Sequence, residues 1–201
     1  PWIAPYGESQ IVGDVWEPIG GTFLFGTDQI GRDLLSRLVY GARNTISLAL
    51  LTTALAFLVG GLLGFLAATM RGWVDQLLSR FVDIIISIPT LIFALIVLSA
   101  VGTSIPVLIS VIGLVYAMPV YRIARAVAMD IEIMDYVEVA RLRGEGLWWI
   151  MRRGILPNAL TPLAAEFGLR FCFVFLLTSW VSFLGLGLQP PLADWGAMVR
   201  G

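Results

Sequence analysis

Charge is confined to a few short clusters along this chain, and the intervals between them are long and apolar. No charged residue lies between Arg43 and Arg71, a run of twenty-seven, or between Asp83 and Arg122, a run of thirty-eight. A helix needs about 20 apolar residues to cross a bilayer. The first run is therefore one span, and the second is too long for one. Gly102-Thr103-Ser104-Ile105-Pro106 supplies a turn in its middle, so two antiparallel helices are expected. This predicts spans at 44–70, 82–101 and 105–127, with a fourth at 155–187 that Gly185, Gly187, Pro190 and Pro191 bring to an end. Pro89 and Pro119 lie within or at the ends of these helices, where membrane neighbours can satisfy a freed carbonyl, and they read as kinks more readily than as hinges. Gly60 and Gly64 form a GxxxG pair. It either lets two helices approach closely or is a coincidence in a glycine-rich helix.

The polar clusters set the rest of the organisation. Residues 1–43 are mixed in character, with Pro18, Gly20 and Gly21 marking loop. From Asp28, DQIGRDLLSRLVYGAR reads as a short amphipathic helix with Leu34, Leu35, Leu38 and Val39 on one face, expected to rest at the membrane interface. Residues 71–83 form a short polar connection. The fourth span carries Glu166 and Arg170, spaced i, i+4 with the acid first, an order that lets them neutralise each other. An ionisable pair inside a span marks a pathway or a subunit contact by default. Their place near one end of the span also fits a plain interfacial anchor.

Composition narrows the class. The chain has 201 residues, 58% hydrophobic and only 13% charged, with mean hydropathy +0.88, against about 25% charged in soluble domains. Continuous runs rather than short alternating segments exclude a β-barrel, which leaves an all-α integral membrane protein. All thirteen basic residues are Arg and there is no His. Without a Lys there is no P-loop. One cysteine, Cys172, excludes an internal disulfide and a Cys/His metal site, and it reads as a small core residue. No cofactor is expected. Apolar spans at a net charge of −1 leave little surface for nucleic acid. The first seven residues lack the basic start and apolar core of a signal peptide.

Arginine counts give an orientation. The 71–83 and 122–153 connections hold eight, and the opposite side holds Arg32, Arg37, Arg43 and Arg200. Positive charge stays inside, so the connections are expected to be cytoplasmic and residues 1–43 extracytoplasmic.

One cytoplasmic stretch stands out: Tyr136 to Pro157, YVEVARLRGEGLWWIMRRGILP. Helix formers on either side of Gly144 and Gly146 predict a helix ending near Arg143, a turn, and a second short helix. Leu147, Trp148, Trp149 and Ile150 are expected at the interface, the level Trp favours. Leu156-Pro157 suits the first turn of the next span. A bent, partly apolar cytoplasmic helix can dock a soluble partner; a solvated loop with an interfacial belt fits as well.

The spacing Glu138-Val139-Ala140, three residues, Gly144, then Leu156-Pro157 resembles the EAA loop of the membrane subunits of bacterial ABC importers. FGTDQIGRDLLSRLVYGAR, the RGWVD pattern with Arg80 and Asp83, and SFLGLGLQPP with DWG resemble the C-type permeases of the peptide/nickel class, over about Leu24 to Val199. The resemblance implies the MetI-like helical bundle of an ABC importer permease, with six spans in the full chain and about four in this sequence, which is expected to lack the first and last. It implies a bacterial inner-membrane location, with no bond chemistry performed by the chain itself. It implies a coupling loop at about 130–153 that seats on an ATPase subunit through Glu138, Val139, Ala140, Arg141, Gly144, Leu156 and Pro157. Its implied partners are ABC ATPase subunits, a second permease subunit and a periplasmic substrate-binding protein. Val139 replaces the family Ala, and Gly154 stands where the general motif has Ile. A secondary transporter or channel subunit is the alternative; it would rest on Glu166 and Arg170. A membrane enzyme lacks a catalytic set.

Overall fold

The computed structural model describes residues 3–70 and 72–200. Arg71, which opens the RGWVD pattern, lies outside them. Among the described residues the regular structure is helical, apart from isolated bridges at Ile11–Arg32 and Thr27–Asp33.

The first helix, α1 (Leu34–Met70), is longer than the 44–70 span. The separate amphipathic helix expected from Asp28 does not form. Residues 28–33 instead make a turn in which the Asp28 carboxylate accepts from the backbone N–H groups of Ile30 and Arg32 at 2.9 and 3.0 Å. Asp33 then accepts from the backbone N–H of Ser36 at 2.8 Å, a capping interaction that starts α1 directly. Beyond that start nothing breaks the helix, so the polar Leu34–Arg43 segment and the apolar run are one element.

After α2 (Gly72–Ile86) and α3 (Thr90–Val101) comes α4 (Ile105–Glu132). The expected single span at 82–101 is replaced by two helices bent by 87°. The cause is local. Pro89 lacks a backbone donor and disfavours helical geometry in the residue before it, so the chain turns at Ser87-Ile88-Pro89. Among the described residues, three helices are long and apolar enough to cross a membrane, or four if the bent pair is one span. Gly102, at φ 105°, makes the turn into α4, and Pro119 lies inside that helix without ending it.

The bundle is built on α1 against α4, which runs parallel to it. A Cβ on Gly60 would lie 2.4 Å from the Ala117 carbonyl oxygen, and one on Gly64 would lie 2.8 Å from that of Tyr121. The two glycines are therefore where the helices touch backbone to backbone, and the GxxxG spacing is a contact. Buried Thr52, Thr53 and Thr69 each donate to the carbonyl four residues back at 2.7 Å. This satisfies hydroxyls that have no water to bond.

The last long helix is α7 (Leu156–Phe183), preceded by α5 (Asp135–Leu142), α6 (Leu147–Trp149) and a π-helical turn at Ile150–Ile155. Half of the apolar window of α4 is buried, but only 17% of that in the α7 segment. α4 is thus the centre of the bundle, and α7 presents most of its surface outward. Cys172 is on that surface and exposed, not in the core. An apolar run does not distinguish a lipid-facing or partner-facing helix side from a core-facing one. At the end of the bundle remote from α5, α8 (Trp195–Arg200) packs on α7 and on the first turns of α1. Thr45 donates to Asp194 at 2.8 Å, and the Trp195 indole donates to the Leu38 carbonyl at 3.0 Å.

Candidate functional site: the bent loop between α4 and α7

The loop begins where α4 ends. Met134 N-caps α5, whose inner face is fixed by Val137 and Ala140, 1% and 6% exposed. Val137 sits in one apolar cluster with Ile131, Ile150, Ile155 and Ala159. Helical spacing then turns Glu138, Val139, Leu142 and Arg143 outward. Leu142 is 82% exposed and Val139 45%.

Gly144 ends the helix. Its φ of 79° is left-handed. Its N–H donates to the Arg141 carbonyl at 2.9 Å, and the Glu145 N–H donates to that of Ala140 at 3.2 Å. This is a Schellman cap, in which glycine occupies the left-handed position without a Cβ penalty. Space alone does not demand glycine here, because nothing lies within 4 Å of a Cβ built on Gly144. The backbone conformation does.

After the bend, Trp148 is exposed and Trp149 half-buried, but Ile150 is only 2% exposed. Ile150 therefore belongs to the core and not to the interfacial belt expected for it; the Leu147 side chain lies outside the described residues. The π-helical turn re-aims the chain into α7, and the Leu156 N–H bonds back to the Met151 carbonyl. The Gly154 carbonyl accepts from the Asn158 side chain at 2.8 Å and from the Tyr136 hydroxyl at 3.4 Å. The Asn158 amide also donates to that hydroxyl at 2.9 Å, which ties α5 to α7. Leu156 and Pro157 open α7 at its partly exposed first turn.

Of the expected loop residues, Glu138, Val139 and Gly144 share the exposed surface of the bend, and Ala140 lies beneath it. Arg141 reaches back to Glu132, whose side chain is fully buried at the end of α4. Glu132 was not legible as part of the site. It precedes Arg141 by nine residues across an irregular turn, and no periodicity links the two. A second ion pair absent from the sequence reading joins α2 to α4: Arg125 holds Asp75 in a two-pronged contact whose Nη2–Oδ2 arm is 2.6 Å, beside a 3.0 Å Ser79–Tyr121 hydroxyl contact.

Glu166 and Arg170 do pair on α7, each side chain about one-fifth exposed. They lie in the middle of that helix rather than near an end, and the Arg170 guanidinium carbon is 6.0 Å from the Phe173 ring centroid. Their charges cancel each other locally. Among the described residues, no group of His, Cys, Asp and Glu could hold a metal.

Long apolar helices, an interhelical glycine contact and an exposed bent loop define a helical membrane protein. Residues 60–200 match the family of binding-protein-dependent transport system inner membrane components, and the chain belongs to that family. It is 36% identical to the di/tripeptide transport system permease protein DppC of Pseudomonas aeruginosa (strain UCBPP-PA14), with 99% of this chain and 68% of the relative covered. It is 35% identical to the probable D,D-dipeptide transport system permease protein DdpC of Escherichia coli (strain K12), covering 99% and 67%. It is 30% identical to the glutathione transport system permease protein GsiD of Pectobacterium atrosepticum, covering 87% and 58%. The chain is thus an all-α permease of the inner membrane, and it spans about 58–68% of the length of these relatives.

Proposed function

We propose that this chain is one membrane-spanning half of an ATP-driven, binding-protein-dependent importer for small peptides, and that the bent loop at about 130–153 is where an ATPase subunit grips it. The observation that carries this reading is the loop itself. α5 is anchored through Val137 to the cluster it shares with α4 and α7, and Ala140 is buried too, while Glu138, Val139 and Leu142 are exposed on its outer face. A push on that face is borne by packed side chains and passes to two long helices at once, as rigid-body switching between packed states requires. ATPase subunits on the cytoplasmic side, a second permease subunit and a periplasmic substrate-binding protein are the partners this demands. Residues 1–43 then face outward. α7, mostly unburied and carrying Glu166 and Arg170, is the surface offered to the pathway or to the second permease.

The peptide cargo rests on the names of the relatives. The coupling role is tested by Gly144→Pro in the full-length protein, assayed in the assembled complex. Proline cannot adopt a φ of +79°, so the bend is lost. Uptake falls to background while membrane abundance is retained. Normal uptake by a variant present at normal abundance refutes the assignment.

A further inference from the structure

At the end of the bundle remote from the loop, a cavity of about 750 Å³ opens between the N-terminal segment, the first turn of α1 and the α7–α8 connection. This lies within the range of about 300–1,000 Å³ typical of small-molecule sites. Its charge is unbalanced. Arg32, Arg37 and Arg200 line it, and Asp28 is the one acidic residue among the lining groups.

Asp28 is already committed. One of its oxygens faces both Arg32 Nε and Arg37 Nη1, and the other accepts two backbone N–H groups. The side chains of Arg32, Arg37 and Asp28 are only 11%, 12% and 10% exposed. Among the described residues, Arg37 Nε is buried without a partner. So is the hydroxyl of Ser182, a cavity-lining residue 2% exposed. Arg200 makes no ion pair among the described residues. Its guanidinium lies over Gly185, where a Cβ would come within 2.4 Å of Nη1. Gly185, at φ 90°, thus makes room for the cation as well as the turn. Trp16, in the left-handed region at φ 57°, places an exposed indole at the same cavity.

We propose that this cavity is an anion subsite that takes the carboxylate of a small solute, with Arg200 as its principal charge partner and Ser182 as a hydrogen-bond donor. A carboxylate would supply the second negative charge the three guanidinium groups lack. Charge-assisted hydrogen bonds to arginine are among the strongest polar contacts a protein makes. The apolar wall of Leu188 and Met198 suits the rest of a short peptide. This deepens the peptide-importer reading and rests on it only for the identity of the solute.

The test uses the full-length permease purified with its partner subunits. Thermal melts are recorded with dialanine and with dialanine amide, which differ in the terminal carboxylate. Dialanine at saturating millimolar concentration raises the melting temperature of the unmodified complex, and the amide does not. Arg200→Gln and Ser182→Ala each weaken dialanine binding by about tenfold or more, the effect of one lost hydrogen bond to a charged group. Equal shifts with the two ligands, no shift with dialanine, or full retention of the shift in Arg200→Gln would overturn the subsite. A dialanine shift seen in detergent but abolished in nanodiscs containing phosphatidylglycerol, and kept in nanodiscs of phosphatidylcholine alone, would assign the cations to a lipid headgroup and overturn it as well. ATP-driven uptake is measured separately on the same preparation. Its absence alongside a carboxylate-specific shift would count against the importer reading and leave the subsite standing.

Discussion

Gly60→Ala probes the contact on which the bundle is built. The added methyl would sit 2.4 Å from the Ala117 carbonyl oxygen, 2.9 Å from Val120 Cβ and 3.0 Å from the Tyr121 amide nitrogen. Ordinary contact begins near 3.4 Å, so α1 and α4 must separate by about 1 Å at this level. Two of the three obstructing atoms are backbone, so no rotamer change relieves the clash. Overpacking of this kind costs about 1–3 kcal/mol, and the backbone obstruction puts Gly60→Ala in the upper half of that range. At about 2–4 °C per kcal/mol for a chain of this size, the melting temperature of the detergent-solubilised full-length protein falls by roughly 4–12 °C. Gly61→Ala is the control. Nothing lies within 4 Å of its Cβ, and alanine improves helix propensity by up to about 1 kcal/mol, so its melt is unchanged or slightly raised. A Gly60→Ala protein that melts with the unmodified one, or a Gly61→Ala protein equally destabilised, would show that α1 and α4 do not meet through this glycine face.

Three further outcomes are expected. Thr45→Val removes a fully buried hydroxyl that donates to Asp194 and accepts from the Trp195 N–H at 3.2 Å; the unsatisfied groups left behind cost about 1–3 kcal/mol, read as a lower melting temperature and faster proteolysis near α8. A double-mutant cycle on Asp75→Asn and Arg125→Gln returns a coupling of about 0.5–3 kcal/mol if their two-pronged contact clamps α2 to α4, and additive melts would deny the clamp. Gly144→Ala, which keeps the backbone N–H but penalises the left-handed conformation by about 1–2 kcal/mol, lowers uptake less than Gly144→Pro does; the reverse order would mean that the bend is not what matters.

Much of this fold is legible in the sequence because lipid imposes simple demands. The uncharged run after Arg43 marked the apolar part of α1, and Gly102 marked the turn into α4. The 87° break at Ser87-Ile88-Pro89 was harder to read. A proline in an apolar run is compatible with a kinked helix, and neighbours decide between kink and break. The start of α1 was obscured because residues 28–33 carry helical periodicity, yet Asp28 and Asp33 bond to the backbone in a turn and a cap. In the loop, the glycine spacing located the bend. The links Glu132–Arg141 and Tyr136–Asn158–Gly154 were hidden, since they join residues across irregular backbone. The cavity lined by Arg37, Ser182 and Arg200 was hidden for the same reason, being assembled from both ends of the chain.

The proposed coupling role of the bent loop is tested most directly by its partner. The full-length, tagged protein is purified from detergent before and after residues 138–146 are replaced by a Gly/Ser linker, and whatever accompanies it is identified. An ATPase and a second permease recovered with the unmodified protein, with the ATPase lost on loop replacement while the second permease stays, is the predicted result. An ATPase that remains bound without the loop, or a lone stable oligomer from the unmodified protein, would contradict it.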